Sequence, residues 1–419
     1  MKKIVFFLLL ILLPNLTLGQ KILIYMDLQQ TDHLKAYGVA YWALEKGLNV
    51  EWLLNYRGGS FVMDENRELE RELRLRGVAS SVITGSQAAQ IYATIEEENM
   101  EVVLLEKAPS IAVYTPQNKL PWDDAVTLAL TYAEIPYEKI WDKEVLRGDL
   151  DKYDWLHLHH EDFTGQFGKF YASFRNAPWY IEEVKMNEAM AAELGFKKVS
   201  GMKKAVVSII REYVLRGGFL FAMCSATDTY DIALAALKTD IVPAVFDGDP
   251  PDANYQAKLD FSQTFAFKNF VLNMNPFIYE YSDIDIPPSY AAPLRGADAD
   301  AFTLFEFSAK YDPVPTMLTQ NHVNVIKGFM GQTTAFRRSK IKDTVVLMGE
   351  IPGTESVKYI HGNIGRGTFT FLGGHDPEDY QHAVGDPPTQ LSLHRNSPGY
   401  RLILNNVLFP AAKKKKRKT

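Results

Sequence analysis

Apolar runs of strand length alternate with apolar residues at helical spacing over most of this chain. Residues 21–27 (KILIYMD) read as a strand, 32–46 as a helix that Gly47 ends, and 50–54 as a second strand. Arg57-Gly58-Gly59 reads as a loop, 64–76 as a charged helix stopped by Gly77, and 79–83 as a third strand. A helix at 86–98 and a strand at 102–105 complete this part, and such alternation predicts a parallel α/β sheet. The pattern restarts after Lys107-Ala108-Pro109 with a strand at 111–114, a helix at 122–133, a strand at 137–140 and a third strand at WLHLHH. Residues 161–201 are polar, aromatic and irregular for longer than an ordinary loop, which suggests a functional or lid-like segment. An amphipathic helix at 202–215 then leads into RGGFLFAMCSATDTY, a short apolar strand that turns at Cys224 into another helix.

Beyond Leu237 the rhythm breaks. Residues 247–253 and 284–300 are dense in Pro, Gly and Asp, and 302–307 and 323–329 read as strands of a β-rich insertion spanning about 247–342. Strands return at 343–350, 357–361 and 367–372, and a helix at 401–408 precedes the tail. The expected organisation is a leader at 1–19, an N-terminal α/β domain at 20–107, a larger domain at 108–410 and a basic tail at 411–419.

Composition refines this picture. Lys2-Lys3, the apolar run 4–13 and the small residues Thr17 and Gly19 describe a secretory signal peptide cleaved before Gln20, so the expectation is an exported, periplasmic or extracellular protein. No later segment reaches about 18 uninterrupted apolar residues, so no transmembrane segment is expected. The formal charge of -6 becomes -8 without Lys2 and Lys3, and the body falls near -14 once the six cations of 413–418 are set aside. An acidic body argues against nucleic acid as a partner. The tail reads as a solvated like-charge run, with attraction to an envelope surface as the alternative. A single cysteine cannot form an internal disulfide, so Cys224 is either buried or kept for chemistry. Neither GxGxxG nor GxxxxGK[ST] occurs, and no cofactor is called for.

The candidate chemistry gathers at strand ends. Cys224 follows one strand, with Ser225 next to it as a candidate ligand-binding residue, and GGHDPEDYQH follows another, placing His375 where an imidazole can serve as general base. Asp376, Glu378 and Asp379 are the carboxylates that can orient it. Ligands bind at the carboxyl edge of open parallel sheets, so His375 and Cys224 are expected to meet there. In HLHHED, His157 and His159 share one face of a strand, whereas His160, Glu161 and Asp162 fall at its end as candidate ligand-binding residues. Imidazoles and carboxylates together suit a transition metal, with His159, His160, Asp379 and His382 as weak candidates. The spacing matches no compact metal motif, so a hydrogen-bonded pocket is favoured over a metal. His322, His361 and His394 read as structural or exposed. The aromatics Phe167, Phe170, Tyr171, Phe174, Trp179 and Tyr180 pack the loop or, alternatively, offer faces to a sugar.

From about 109 to 410, roughly three quarters of the mature chain, the sequence resembles the class I glutamine amidotransferase-like superfamily. The matching stretches are IAVYTP, WDDAVTLALTYAEIPYEKI, LRGDLDKYDWLHL, RGGFLFAMCSA and GRGTFTFLGGHDPE, the last similar to the Gly-His-Asp ending of ThuA-like proteins. The resemblance implies a flavodoxin-like parallel sheet with helices on both faces. It also implies a catalytic unit of Cys224 and His375 with Asp376 or Glu378. Hydrolysing members carry Gly-x-Cys-x-Gly where this chain has AMCSA, and a glutamate two residues after the histidine where this chain has Pro377. Similar exported chains are sometimes catalogued as asparagine synthetase B. Such a synthetase needs an N-terminal nucleophilic cysteine and an SGGxDS-like loop, and neither is present. The functions left open are a Cys/His-dependent hydrolase or amidotransferase, a small-molecule or carbohydrate-binding protein on the same fold, and an envelope scaffold with unknown protein partners.

Overall fold

A computed structural model describes residues 19–116, 124–287, 292–381, 383 and 385–412 of the chain. The leader up to residue 18, Trp122, Asp123, His382 and the basic run from 413 lie outside the described residues. The architecture is mixed α/β with two sheets.

The first sheet contains β1 (Lys21–Ile24), β2 (Val50–Leu54), β3 (Ser60–Asp64), β4 (Ser80–Ile83) and β5 (Glu101–Leu105), in the order β4-β1-β3-β2-β5. Every pairing in it is antiparallel, which corrects the expectation of a parallel sheet here. The cause is a hairpin. Asn55, Arg57, Gly58 and Gly59 all take positive φ, between 48° and 89°, and fold SFVMD back onto β2 with Trp52 opposite Phe61. β1 and β2 therefore run the same way, but β3 is inserted between them.

The second sheet contains β6 (Ile111–Tyr114), β7 (Glu138–Ile140), β8 (Trp155–Leu158), β9 (Phe219–Met223), β10 (Phe302–Leu304), β11 (Val325–Ile326), β12 (Phe336–Arg337), β13 (Val346–Glu350), β14 (Ser356–Ile364) and β15 (Gly367–Leu372). Five of these, in the order β7-β6-β8-β9-β15, are mutually parallel. The sheet then continues antiparallel through β14, β13, β10 and β11. The segment expected as a β-rich insertion is mostly irregular. Its short strands β10 and β11 extend this same sheet rather than building one of their own.

Alternation along the parallel strands buries both faces. Ile111, Val113, Trp155, Phe219 and Phe221 face one hydrophobic cluster, and Ala112, Tyr114, Leu156, Leu158 and Leu220 face another. The helices Ala125–Ala133 and Pro398–Leu408 cover the first face; Val199–Arg216 and Ser225–Ala235 cover the second. The helix His33–Glu45, capped by Asp32 accepting from Lys35 N at 2.9 Å, belongs to the first of these clusters along with Trp52 and Phe61. The boundary near residue 107 therefore separates two sheets that share one core. Arg401 ties them further: fully buried, it donates to Met26 O at 3.0 Å and Gly58 O at 2.8 Å across that core. Among the described residues no helix is long and apolar enough to cross a membrane.

Candidate functional site

Register sets the site. Leu158 lies opposite Ala222 and Met223 opposite Leu372, so β8, β9 and β15 end at nearly one level. The residues that follow them are His159-His160, Cys224, and His375 after two glycines. The ends are stitched together: Cys224 N donates to Leu372 O at 3.2 Å, Ala226 N to His159 O at 3.3 Å, and Ser225 Oγ to His160 O at 2.9 Å.

Cys224 occupies φ 50° and ψ -139°, a left-handed-side conformation costly for any residue with a Cβ. The strand-to-helix turn imposes it, as expected for an elbow that projects a side chain at the sheet edge. The thiol is not open to solvent, however; Cys224 is 2% exposed. The loop 330–334 covers it. Gln332 N donates to Cys224 Sγ at 3.3 Å, while Gly374 N donates to Thr333 O and His375 N to Met330 O, each at 2.9 Å. A Cβ on Gly331 would stand 2.9 Å from Sγ and 3.1 Å from His375 N, so only glycine lets the loop pass between them. Burial pushes the Cys224 thiol above its ordinary pKa, against the opposing pull of the amides of Thr333, Gln332 and Ser225.

The imidazoles do converge. The His159 ring centroid is 4.4 Å from that of His375 and 4.8 Å from that of His160, and His160 lies 5.6 Å from His375. Behind them stands Asp124, with Oδ1 3.1 Å from His159 Nδ1 and 3.5 Å from His157 Nε2. Burial acts to raise its pKa, but the His159 and His157 imidazoles outweigh that and hold the carboxyl well below its usual range. Asp124 is also the N-cap of the helix Ala125–Ala133, accepting from Val126 N and Thr127 N. His157 is fully buried, with Nδ1 3.1 Å from Phe221 O.

Beside His160 is a polar cavity walled by Glu161, Asp162, Glu183, Asn187 and Lys203. Burial raises Glu161 well above the ordinary carboxyl range, and burial followed by repulsion from Asp162 raises Glu183 to about 7. Lys203 holds Asp142 at 2.8 Å, and Asp142 also accepts from Tyr114. Residues 161–201, expected to be lid-like, supply most of this wall through the loop before residue 171 and the helix Pro178–Glu193.

The other expected site residues have different employment. Asp376 is fully buried and accepts from Glu378 N, Asp379 N, Thr389 Oγ1 and Tyr400 Oη, so it pins the turn after β15. Glu378 pairs with His394 at 3.1 Å. Asp162 accepts from Thr164 N, Gln166 N and Gly168 N and shapes its own loop. Of the weak metal candidates, His159 and His160 join His375, Asp379 lends its backbone N–H to Asp376, and His382 is outside the described residues. The aromatics of 167–180 pack on one another in a small core of their own, edge to face in Phe170 with Trp179 at 5.6 Å and Phe170 with Phe174 at 5.9 Å.

Several site residues escaped the sequence reading. Asp124 carried the signature of a helix cap, and nothing local pointed it at His159. Lys169, 1% exposed and lowered by burial to about 8, donates to Asn273 O at 2.8 Å and Glu280 O at 2.9 Å. Gln332 Nε2 reaches Gly168 O at 2.8 Å and Tyr279 O at 3.0 Å, so three loops close over the sheet edge together. Positive φ at Phe167 (51°) and Lys169 (52°) marks that closure, but only the fold displays it.

Neither a protein-family model nor a curated protein matches the chain. Two solved structures overlap it distantly: "Cytoplasmic Protein STM3548 from Salmonella typhimurium", at 11% identity and TM-score 0.34, and "Cytoplasmic Protein STM1381 from Salmonella typhimurium LT2", at 12% identity and TM-score 0.33. Each overlap covers 73% of this chain and 100% of the other. Scores this low carry no argument about fold or activity.

Proposed function

We propose that this chain is an exported glutamine amidotransferase-like hydrolase of a small polar ligand, and that His375, with His159 and His160, is its working centre. The observation that carries the reading is the meeting of these imidazoles with the strained Cys224 elbow at the carboxyl ends of three adjacent parallel strands. Numbered along the chain, β6, β7, β8, β9 and β15 run in the order 2-1-3-4-5, which is the flavodoxin-like order and supports that fold assignment. In such sheets the ligand crevice lies outside the strand carboxyl ends, where the polar cavity beside His160 is found.

Chemically, His160 and His375 are the half-buried imidazoles of the cluster, so they are the groups placed to activate an attacking water at the strand ends. The neighbouring His159, with Asp124 Oδ1 3.1 Å behind its Nδ1, completes the cluster on the buried side. Cys224 supports the elbow as a neutral thiol: burial disfavours its thiolate and the loop 330–334 stands over Sγ. This departs from the nucleophile role that the family resemblance implies for it. Export rests on Lys2-Lys3, the apolar run at 4–13 and the small residues before Gln20.

The test is a panel of small amides, esters and glycosides incubated with the full mature chain, with product release read by mass spectrometry. Turnover of at least one class, lost in His375→Gln, is the expected result; no turnover of any class sinks the hydrolase reading. A binding protein on the same fold is the second reading, with the carboxyl-lined cavity beside His160, about 20 Å³ and so sized for a water or a small ion, as its point of contact with a ligand group. It predicts ligand-induced thermal stabilisation with no product.

A further inference from the structure

We infer that His159, His160 and His375 form a three-imidazole site for a divalent transition metal of the zinc class, with Asp124 as the residue that positions His159. One ring nitrogen from each of the three lies within 4.8 Å of the others. Nitrogens bound tetrahedrally at about 2.0–2.1 Å from zinc stand roughly 3.4 Å apart, so modest ring rotations close the set. Imidazole is the donor shared by zinc, copper, nickel and iron sites, and no thiolate or extra carboxylate is needed to complete it.

His159 supplies an independent observation. It is 1% exposed, its Nδ1 faces Asp124 Oδ1 at 3.1 Å as an ion-pair contact rather than an aligned hydrogen bond, and its Nε2 is buried with no hydrogen-bond partner among the described residues. A buried ring nitrogen left without a partner is costly, and a ligated cation removes that cost. The arrangement is also that of a metal-bound histidine whose second nitrogen is oriented by a carboxylate. Asp124 itself, with His157, makes a second close group with His159. That group is already engaged: Asp124 caps a helix and His157 Nδ1 faces Phe221 O. These two therefore serve as support behind the site.

Three protein nitrogens leave a fourth position open, which is the form taken by zinc sites that bind water or substrate. His160 and His375 are the partly exposed members, with His159 buried behind them, so the opening is on the side those two share. A third acidic group, Asp240, Asp247 and Asp249, does not compete, because Lys198 lies within 3.0 Å of all three.

The inference concerns the site of the proposed hydrolysis but is read by binding alone, so a metal that binds without turnover, or turnover that survives chelation, separates the two. The experiment is titration of the full mature chain, stripped with a chelator, with cobalt(II) followed by visible absorption. We expect one equivalent to bind with the intense band of a four-coordinate site and to be displaced by one equivalent of zinc. His160→Ala and His375→Ala should each weaken cobalt binding about a hundredfold or more, and Asp124→Asn about 10–100-fold. Unfolding curves of the metal-free variants check the fold, and His375→Ala, on a half-exposed turn, decides the matter if the others do not fold. Absence of the band at about 0.1 mM cobalt, or a band unchanged in His375→Ala, overturns the inference.

Discussion

The backbone N–H of Gln332 donates to Cys224 Sγ at 3.3 Å, so a loop from one part of the chain caps the thiol at the end of β9. Burial raises the thiol's pKa against the pull of that N–H, and the loop stands between Sγ and solvent, so slow alkylation is the expected behaviour. Iodoacetamide at pH 7.5, followed by intact mass, should label native Cys224 at least about a hundredfold more slowly than the unfolded chain. Gly331→Ala should raise that rate, because its Cβ cannot stay 2.9 Å from Sγ and the loop must lift. Native labelling as fast as that of a free thiol would mean that the cap does not hold.

Arg401 joins the two sheets from within the core, with carbonyls of Met26 and Gly58 as its acceptors. Arg401→Leu removes charge-assisted bonds and leaves both carbonyls buried, at a cost of about 3 kcal/mol or more. Urea unfolding should show that loss in a single transition that includes the N-terminal sheet. A variant in which 20–107 unfolds separately, at unchanged stability of the rest, would refute the shared core.

His361 is fully buried beside Thr370 Oγ1 at 3.0 Å, and burial pushes its pKa down to about 4. Between pH 6.5 and 4 the unfolded chain takes up a proton at this ring that the folded chain refuses. The stabilisation it contributes is therefore present above pH 6.5 and is lost as pH falls toward 4. His361→Gln lacks this response. Whatever the gap between wild type and variant at pH 7.5, it should narrow in favour of the variant by up to about 3 kcal/mol at pH 4. Denaturant curves at the two pH values measure it, and a gap independent of pH would contradict the assignment.

The legible part of the fold was the part governed by local pattern. WLHLHH, FLFAM and TFTFL are short apolar runs separated by helices, and they became the parallel strands β8, β9 and β15. The first sheet was misread because SFVMD, five residues between two glycines and a charged helix, gave too little pattern to be recognised as β3, and one added strand reverses every pairing around it. At the site, His375 and His160 could be placed at strand ends from sequence. Asp124 could not, since a helix cap and a partner of His159 look alike until the chain folds. The cover over Cys224 comes from residues 330–334, more than a hundred positions away, and no local signal joins the two.

The claim that matters most is that imidazoles, and not the thiol, do the work at this edge. The direct measurement is kcat/KM for Cys224→Ser and His375→Gln on whichever substrate the panel identifies, with both variants checked for folding. The account predicts a fall of about a hundredfold or more in His375→Gln, the usual scale of a lost water-activating group, and less than about tenfold in Cys224→Ser. The reverse order, with activity abolished in Cys224→Ser and retained in His375→Gln, would contradict it.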